Sequence, residues 1–282
     1  MSVRIICDSA CDITQEQAKE WGITVLPLKI LWGGEEFLDG VTMKTGEFYE
    51  KLIETDELPT TSQLSPYDFE KAFQEVTDAG DTAVCFTISS KLSGTYQSAC
   101  SAKEMLEDGS KVTVINSKTL CGPHRYMVEK AQKMKEAGHS AKEIIEWLEN
   151  IKEKSESFLI PQDFDFLRRG GRLTPVAAAL GSVLKLKPIM TLTEDCKRLD
   201  KFAVKRTMKS AVDTVISHLK TRNLDSRHIL YISHADALDD AKKIMAQMKE
   251  TFAQLEVKIL ELSPVFVAQG GPKCVAIQYI ER

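Results

Sequence analysis

The chain has 282 residues, of which 43% are hydrophobic and 28% charged, an ordinary globular composition that excludes a disordered or fibrous protein. Its 37 lysines and arginines are outnumbered by 41 acidic residues, for a formal charge of −4, which argues against a general nucleic-acid binder. No apolar run reaches the roughly 18 residues of a membrane span, and no charged leader or cleavage site begins the chain, so we expect neither an integral membrane segment nor a secretion signal.

Seven cysteines are scattered along the chain without a C-x-x-C pair. An odd, dispersed set is not typical of a disulfide framework, and metal sites use close pairs. Several of the cysteines fall inside apolar strand-like runs, where cysteine behaves as a small buried hydrophobe. We therefore predict reduced thiols and a cytoplasmic protein.

Strands and helices alternate in the first half. Hydrophobic runs predict strands at Val3–Cys7, Ile23–Leu31, Asp81–Ile88 and Val112–Ile115. The spacing of apolar residues predicts helices at Thr14–Trp21, Phe48–Ile53, Tyr126–Ala137 and Ile144–Ile151, with two more beginning near Ser65 and Thr95. Strands joined through helices need crossover connections, so a mainly parallel sheet is predicted.

The helix that follows the hydroxyl-rich loop Thr60–Leu64 has the clearest start signal. Ser65 is its predicted N-cap, Pro66 its first residue and Asp68 the acid of a capping box. Its apolar residues recur with helical spacing and predict one buried face: Phe69, Ala72, Phe73 and Val76.

The second half mixes a hairpin with strand–helix units. Ser157–Ile160 is predicted as a short strand, Leu167–Arg172 as a basic glycine turn and Pro175–Leu184 as an apolar, alanine-rich helix. Ile189–Leu192 and Lys201–Val204 flank a polar turn and predict the hairpin. Alternating helices and strands are predicted for the rest, at Ala211–Leu219, His228–Ile232, Ala241–Phe252, Val257–Leu260 and Cys274–Ile280.

These patterns predict a two-domain α/β protein. The polar stretch Glu153–Ser157 suggests an N-terminal, mainly parallel α/β domain at residues 1–155 and a C-terminal, mixed-sheet α/β domain at 156–282. Charge is uneven as well, since residues 160–210 contain 11 basic and 5 acidic residues and the rest of the chain is acidic. Such a segment is typical of a docking face for an anionic partner, although a solvated face is an equal alternative.

The loop Ser89–Thr95 lies where a strand ends and a helix begins. Ligands of open α/β sheets bind at that edge, and unpaired N–H groups at helix starts favour carboxylates or phosphates. Three interpretations stay open: an anion site, simple capping of the helix, or the phosphate loop of a small-molecule phosphotransferase. A second hydroxyl cluster, Thr60–Gln63, is predicted to converge on the same anion.

Motifs for catalysis or metal binding are missing. No phosphate loop, dinucleotide fingerprint or nucleophile elbow occurs, so we predict no catalytic residue, no cofactor and no metal. For Asp8 and Asp12, capping is favoured over metal binding. His234 is the histidine best placed for a site, although a core position is favoured. Two further glycine turns, Gly170–Arg172 and Gln269–Pro272, are predicted to expose backbone, and for the first an anion site and a tight turn are equal alternatives.

Six motifs in one order span nearly the whole chain: Asp8-Ser9-x-x-Asp12, Thr61-Ser62-Gln63, Ser89-Ser90-x-x-Ser93-Gly94-Thr95-Tyr96-x-Ser98-Ala99, Gly170-Gly171-Arg172-Leu173, Lys187-Pro188-Ile189 and Lys205-Arg206-Thr207. Together they closely resemble the DegV family of bacterial fatty-acid-binding proteins. The resemblance implies a long-chain fatty acid buried between the two domains. It also implies a non-enzymatic carrier subunit, which presents the fatty acid carboxylate to a separate ATP-using kinase subunit that makes acyl phosphate.

The resemblance also implies roles for individual residues. Thr61, Ser93 and the backbone N–H of Gly94 would hold the carboxylate, with Ser62 and Thr95 beside them. Arg172 and Arg206 match arginines implicated in docking the kinase subunit. The helix Pro175–Leu184 is a candidate tunnel wall, and an ordinary core helix is the alternative.

One departure from the family falls next to the predicted site. Gln269 stands where the family commonly has the histidine of a H-T-G-P-G turn, and with Gly270 it is predicted to form the rim. A glutamine side chain has no proton that titrates near neutral pH, so coupling to the kinase through this position is in question.

Overall fold

The structure is a computed structural model that describes residues 2–179, 186–195 and 198–282. Within the first half, the strands are β1 (Val3–Asp8), β2 (Thr24–Leu26), β3 (Lys29–Trp32), β4 (Glu35–Leu38), β5 (Thr60–Ser62), β6 (Thr82–Thr87) and β7 (Val112–Asn116). The helices are α1 (Gln15–Trp21), α2 (Thr45–Glu54), α3 (Pro66–Asp78), α4 (Thr95–Met105), α5 (Cys121–Glu136) and α6 (Ala141–Ile151).

Four of these strands form the predicted parallel sheet, in the order β2-β1-β6-β7. Helices cover both faces: Phe69 and Phe73 of α3 pack on one face, and Ile144 and Leu148 of α6 on the other. Burial on both faces explains why its strands are continuous apolar runs. The capping box at Ser65 is formed as predicted.

The predicted single strand Ile23–Leu31 is wrong. The chain leaves the parallel sheet after β2, and β3 then pairs antiparallel with β4 and β5 in a separate three-stranded sheet. Pro27 lies at the break, and proline has no N–H to donate to a ladder. The first part of the predicted loop Thr60–Leu64 is also wrong, because Thr61 pairs with Ile30 in β5. This pairing fixes the position of the Thr61 side chain.

In the second half, the strands are β8 (Ser155–Ile160), β9 (Lys187–Leu192), β10 (Leu199–Lys205), β11 (His228–His234), β12 (Glu256–Glu261) and β13 (Val275–Glu281). The helices are α7 (Phe164–Gly170), α8 (Pro175–Ala178), α9 (Met208–Lys220), α10 (Leu238–Thr251) and α11 (Pro264–Gly270). The sheet order is β10-β9-β8-β13-β11-β12, with β11 and β12 parallel and the other pairs antiparallel. The predicted hairpin and mixed sheet are confirmed.

Three local predictions in and beside this half need correction. Leu167–Arg172 is not a turn throughout, because α7 continues to Gly170 and ends at Gly171, whose φ of +70° suits glycine. The helix predicted from Tyr126 begins at Cys121. The segment between β12 and β13, interpreted as a glycine turn, contains α11. Of the predicted helix Pro175–Leu184, the described part is α8, and positions 180–184 lie outside the described residues.

The two halves pack closely through α5. A Cβ on Gly122 would lie 2.4 Å from Cγ of Tyr231 in β11, so only glycine fits this approach. The Gly122 N–H donates to Oε1 of Gln278 in β13 at 3.2 Å. Among the described residues, no helix is both long and apolar enough to cross a bilayer. The predicted boundary at 155/156 remains a prediction; β8 begins at Ser155.

Candidate ligand-binding site

The Ser89–Thr95 loop follows β6 and is held by the end of the neighbouring strand β7. Asn116 Oδ1 accepts from the Ser90 N–H at 3.1 Å, and Asn116 Nδ2 donates to Ser90 Oγ at 2.7 Å. The Leu92 and Ser93 N–H groups both donate to the Ser89 carbonyl. These bonds turn the loop back on itself at the carboxyl edge of the parallel sheet, where Ser93 faces a pocket.

Ser93 and Thr95 have different positions in this site. Ser93 is half-buried and lines the pocket, whereas Thr95 is fully buried behind it and does not. Their hydroxyl oxygens are 2.8 Å apart, and Ser93 Oγ also accepts from the Thr95 N–H at 3.3 Å. Gly94, the N-cap of α4, has no side chain to cap the helix. Thr95 thus orients the Ser93 hydroxyl. This hydroxyl accepts a hydrogen bond from the first N–H of α4 and also faces the pocket.

Gly94 lies under the side chain of Gln63. A Cβ at Gly94 would be 1.9 Å from Gln63 Oε1, so the amide of Gln63 occupies the space that a larger residue would need. Gln63 Nε2 donates to Ser98 Oγ at 3.0 Å on the next turn of α4. The second hydroxyl cluster therefore does meet the first, and Gln63 lies between them.

Helix α11 brings the second domain to Thr61. Gln269 Nε2 donates to Thr61 Oγ1 at 2.9 Å, which leaves the Thr61 hydroxyl proton free to be donated elsewhere. The Gln269 side chain also lies against Gly170 at the end of α7, since a Cβ there would be 2.1 Å from Gln269 Oε1. Gln269 is therefore held between the two domains, and Gly270 is buried beneath it.

The pocket itself is a cavity of about 90 Å³ between the domains. Its polar lining residues come from both halves of the chain: Thr61, Ser62, Gln63, Ser93, Arg172 and Gln269. Apolar side chains complete it: Leu28, Ile88, Leu92, Leu120, Val265 and Phe266. It is a site rich in neutral hydrogen-bond donors, with one cationic side chain.

A second cavity of about 80 Å³ adjoins this pocket and is almost entirely apolar. The two share three lining residues, Leu120, Phe266 and Gln269. The apolar side chains that line the second cavity include Phe158, Leu159, Leu192, Leu199, Leu262 and Ala276. Gly270 lines this inner cavity and not the polar pocket. A cavity with several polar groups in its lining thus adjoins one that is almost entirely apolar.

The two predicted docking arginines occupy different environments. Arg172 is half-buried in the pocket lining, where its Nε donates to the Leu92 carbonyl at 3.3 Å and its Nη1 to the Gly170 carbonyl at 2.5 Å. Burial lowers the pKa of its guanidinium from the usual range. Arg206 is exposed and does not line the pocket. The docking role of both remains a prediction.

Asp8 accepts from the Ala10 N–H and from the Ile88 N–H, at 3.0 and 2.7 Å. Asp12 Oδ1 accepts from the Ser263 N–H at 3.0 Å, so it holds the start of α11 and does not cap the next helix. No group of three or more potential metal ligands occurs among the described residues.

His234, the histidine judged best placed for a site, has a core position. It is buried, and its Nδ1 accepts from the Ala237 N–H at 3.4 Å.

The sequence did not point to one buried residue that holds helix α11 against the first domain. Asp39 is 2% exposed and accepts from Ser9 Oγ, Ser263 Oγ and the Val265 N–H, at 2.6, 3.0 and 3.1 Å. Burial raises the pKa of its carboxyl to about 6, against the hydrogen bonds that lower it. In the sequence, Asp39-Gly40 has the signature of an ordinary turn, and nothing in it signals the contact with α11.

The fold and this site define a two-domain α/β protein with two adjoining cavities between its domains, one with polar groups in its lining and one apolar. The chain belongs to the DegV family, because the family model described as "Uncharacterised protein, DegV family" matches residues 2–282. A DegV domain-containing protein of Halalkalibacterium halodurans is 30% identical, with 99% of both chains covered.

Solved structures of other DegV proteins have the same fold as this chain over its whole length. A structure of a DegV family protein from Thermus thermophilus, which reports fatty acid binding, has a TM-score of 0.88 at 28% identity and 100% coverage of both chains. DegV of Bacillus subtilis, a fatty acid binding protein, has a TM-score of 0.86 at 26% identity, again with 100% of both chains covered. The two-domain α/β fold predicted from the sequence is therefore confirmed.

Proposed function

We propose that this chain binds a long-chain fatty acid, with the carboxylate in the polar pocket and the acyl chain in the apolar cavity. One observation carries the proposal: Leu120, Phe266 and Gln269 line both cavities, so the two adjoin, and a ligand with a polar head and an apolar tail matches the chemistry of the pair. The fatty acid binding reported for the Thermus thermophilus and Bacillus subtilis proteins supports it.

The lining matches the energetic needs of such a ligand. Burial of each methylene contributes roughly 0.8 kcal/mol, so a long acyl chain contributes on the order of 10 kcal/mol before the entropic costs of binding. A carboxylate buried without donors would offset much of that gain. The hydroxyls of Thr61, Ser62 and Ser93 supply neutral donors in the pocket lining, with Thr95 behind Ser93. The backbone N–H of Gly94 joins them only through the family resemblance, because Gly94 lies under Gln63 and does not line the pocket.

The chain acts in this proposal as a carrier and not as the catalyst. It presents the head group to a separate kinase subunit in the cytoplasm. There a carboxylate oxygen attacks the γ-phosphorus of ATP, the new O–P bond forms as the bond to the β-phosphate oxygen breaks, and acyl phosphate and ADP result. The exposed Arg206 belongs to the surface that docks this subunit.

The test compares two adjacent threonines of β5. Lipid extracted from the purified protein is identified by mass spectrometry, and palmitate affinity is measured for Thr61→Val and Thr60→Val. Thr61 lines the pocket, whereas Thr60 is exposed and outside it. We expect bound fatty acid in the wild type and about tenfold weaker palmitate binding for Thr61→Val only. A ligand-free protein that also fails to bind palmitate would refute the proposal.

The phosphotransferase alternative is tested on the same protein. It requires the Ser89–Thr95 loop to hold a phosphate of ATP, and the isolated chain should then hydrolyse ATP or form acyl phosphate without any partner. We expect neither activity until a kinase subunit is added.

A further inference from the structure

Among the described residues, the apolar cavity has one hydroxyl side chain in its lining, that of Ser157 in β8. Ser157 Oγ accepts from Gln278 Nε2 at 2.9 Å across the β8–β13 pair. Gln278 is 2% exposed, and its Nε2 also donates to the Leu120 carbonyl while its Oε1 accepts from the Gly122 N–H, both at 3.2 Å. These two backbone contacts fix the orientation of the amide, so Ser157 Oγ has to be the acceptor in its bond with Gln278.

The proton of the Ser157 hydroxyl is left without an acceptor. A serine hydroxyl can donate one hydrogen bond as well as accept, and in the part of the chain that the structure describes Ser157 Oγ only accepts. A donor that is covered by apolar surface without an acceptor costs free energy. A plain acyl chain lying over Ser157 would therefore leave this proton unpaired, whereas an oxygen on the chain would accept it.

Ser157 also lines a third and larger space, a cleft of about 440 Å³ that residues of both halves of the chain surround. Ser157 and Leu192 line both this cleft and the apolar cavity, so the two adjoin. Leu192 is the one apolar side chain among the described residues that line the cleft, which we call the polar cleft. Ser157 therefore lies where apolar surroundings change to polar ones.

The volumes of these cavities imply that a long acyl chain reaches Ser157. An apolar cavity of about 150 Å³ takes up one benzene molecule. The polar pocket and the apolar cavity enclose only about 90 and 80 Å³, too little for the whole chain of a ligand such as palmitate. We expect the rest of the chain to extend past Ser157 toward the polar cleft, where a hydrocarbon end gains little and a hydroxyl keeps its hydrogen bonds.

The charge of the polar cleft favours a neutral group over a second carboxylate. Acidic side chains slightly outnumber basic ones among its described lining residues, which are Glu153, Glu156, Glu194 and Asp195 against Lys91, Lys118 and Lys152. An anionic chain end would meet this small excess of like charge, whereas a hydroxyl would not.

Building on the proposed function, we propose that this chain selects fatty acids that carry a hydroxyl on the far half of the acyl chain, and that Ser157 recognises this hydroxyl. The carboxylate keeps its place beside Thr61 and Ser93, and Ser157 Oγ donates to the hydroxyl oxygen. A site built to pair with a ligand hydroxyl discriminates against the analogue that lacks it, because its own polar group is then left unpaired.

The test compares each hydroxylated acid with its unsubstituted parent in competition with a fluorescent fatty acid. The pairs are 16-hydroxypalmitate and 2-hydroxypalmitate with palmitate, and 12-hydroxystearate with stearate. The measured quantity is the ratio of the two dissociation constants. Ser157→Ala removes the donor, and Ser157→Thr keeps a hydroxyl on a residue that suits a strand. Ser217→Ala is the matched control, because Ser217 is exposed on α9 and lines none of the three cavities.

In the wild type and in Ser217→Ala, we expect at least one of the two acids with a far hydroxyl to bind about fivefold more tightly than its parent. Ser157→Ala should lose this preference while it still binds palmitate, and Ser157→Thr should keep part of it. The hydroxyl of 2-hydroxypalmitate lies beside the carboxylate, so its ratio should not depend on Ser157. Hexadecanedioate should bind more weakly than 16-hydroxypalmitate.

Three results would overturn the inference and leave the proposed function standing, provided that palmitate binds. They are no preference for either far hydroxyl in the wild type, a preference that persists in Ser157→Ala, and tighter binding of hexadecanedioate than of 16-hydroxypalmitate. Should Ser157→Ala not fold, Ser157→Cys takes its place, because a thiol is a weaker donor, and an unchanged preference there overturns the inference. If the wild type binds none of the acids, the proposed function fails first and the inference with it.

Discussion

Asp39→Ala removes the acceptor that joins α11 to the first domain. Two of the three donors to Asp39, Ser263 Oγ and the Val265 N–H, belong to the start of that helix, and the third is Ser9 Oγ. Asp12 adds a fourth bond, from the Ser263 N–H. The substitution leaves a backbone donor and two hydroxyls buried without their acceptor.

Two opposing contributions set the size of the effect. Each unsatisfied buried donor costs about 1–3 kcal/mol, and hydroxyls recover part of that loss because they can turn. Against this, the pKa of about 6 means that the ionised Asp39 itself costs stability at pH 8, on the order of 3 kcal/mol. We expect Asp39→Ala to lower the free energy of unfolding by about 2–4 kcal/mol at pH 8. Asp39→Asn should lose only about 1 kcal/mol, because its carbonyl still accepts from Val265.

The pH dependence has a definite sign. The folded pKa of Asp39 lies above the unfolded value, so the folded state binds the proton more tightly, and the stability that this group contributes falls as pH rises from about 4 to 6. Asp8 and Asp12, each with a pKa raised to about 7 by burial, act in the same direction. Buried His124, with its pKa lowered to about 4, acts in the opposite direction. The substitution also removes the repulsion by which Asp39 raises the pKa values of Asp8 and Asp12, so the difference between variant and wild type reports Asp39 together with this coupling, which acts in the same direction.

Urea unfolding at pH 5 and pH 8 measures both quantities. The deficit of Asp39→Ala should be about 1.5 kcal/mol larger at pH 5, where the wild-type carboxyl is mostly protonated and about half of its charge penalty remains. Asp56→Ala is the control, because Asp56 is exposed, and it should stay within about 0.5 kcal/mol of the wild type at both pH values. A deficit below about 0.5 kcal/mol, or one that is larger at pH 8, would refute the conclusion that the hydrogen bonds of Asp39 hold helix α11 against the first domain.

Ser93→Ala should weaken palmitate binding about tenfold, because it removes one charge-assisted hydrogen bond, and should lower the free energy of unfolding by only about 1 kcal/mol, because Thr95 loses the Ser93 hydroxyl; equal affinity in a fluorescence titration would remove Ser93 from the site. Gly122→Ala should destabilise the protein by about 1–3 kcal/mol in urea unfolding, since its Cβ would overlap Tyr231; an unchanged midpoint would contradict this packing. Gln269→His should make palmitate affinity rise as pH falls through about 6.5, because an imidazolium adds positive charge beside Thr61. In the wild type no such rise is expected, and identical pH profiles of the two proteins would exclude a contact between this side chain and the carboxylate.

The predictions that succeeded are those in which the deciding residues are close in sequence. The start of α3 depends on Ser65, Pro66 and Asp68, which lie within one turn, and the structure has all three in the predicted roles. The parallel sheet follows from continuous apolar strands separated by amphipathic helices. Local patterns therefore determined the layers of the fold and the location of the Ser89–Thr95 loop at the sheet edge.

The predictions that failed depend on partners distant in sequence. The strand β5 exists because Thr61 finds Ile30, and α11 is a short helix held by residues more than 200 positions earlier. The docking role that the resemblance gives Arg172 stays a prediction, and its place in the pocket lining depends on contacts with Leu92, which lies 80 residues earlier, and with Gly170 at the end of α7. Sequence patterns do not contain these long-range contacts, so the way in which the pocket is built could not be predicted, and the ligand-binding roles of its residues stay predictions.

Helix α11 shows how contacts outside the pocket determine its geometry. Its first turn is held by Asp12 and Asp39, and Gln269 near its other end donates to Thr61. A helix of seven residues is about 10 Å long and moves as a rigid rod, so a shift at its start is carried to its end. The Gln269–Thr61 bond is 2.9 Å long, and a shift of about 0.6 Å would stretch it past a useful distance. The alignment of the ligand donors across the two domains is therefore set by two buried carboxylates that do not line the ligand pocket.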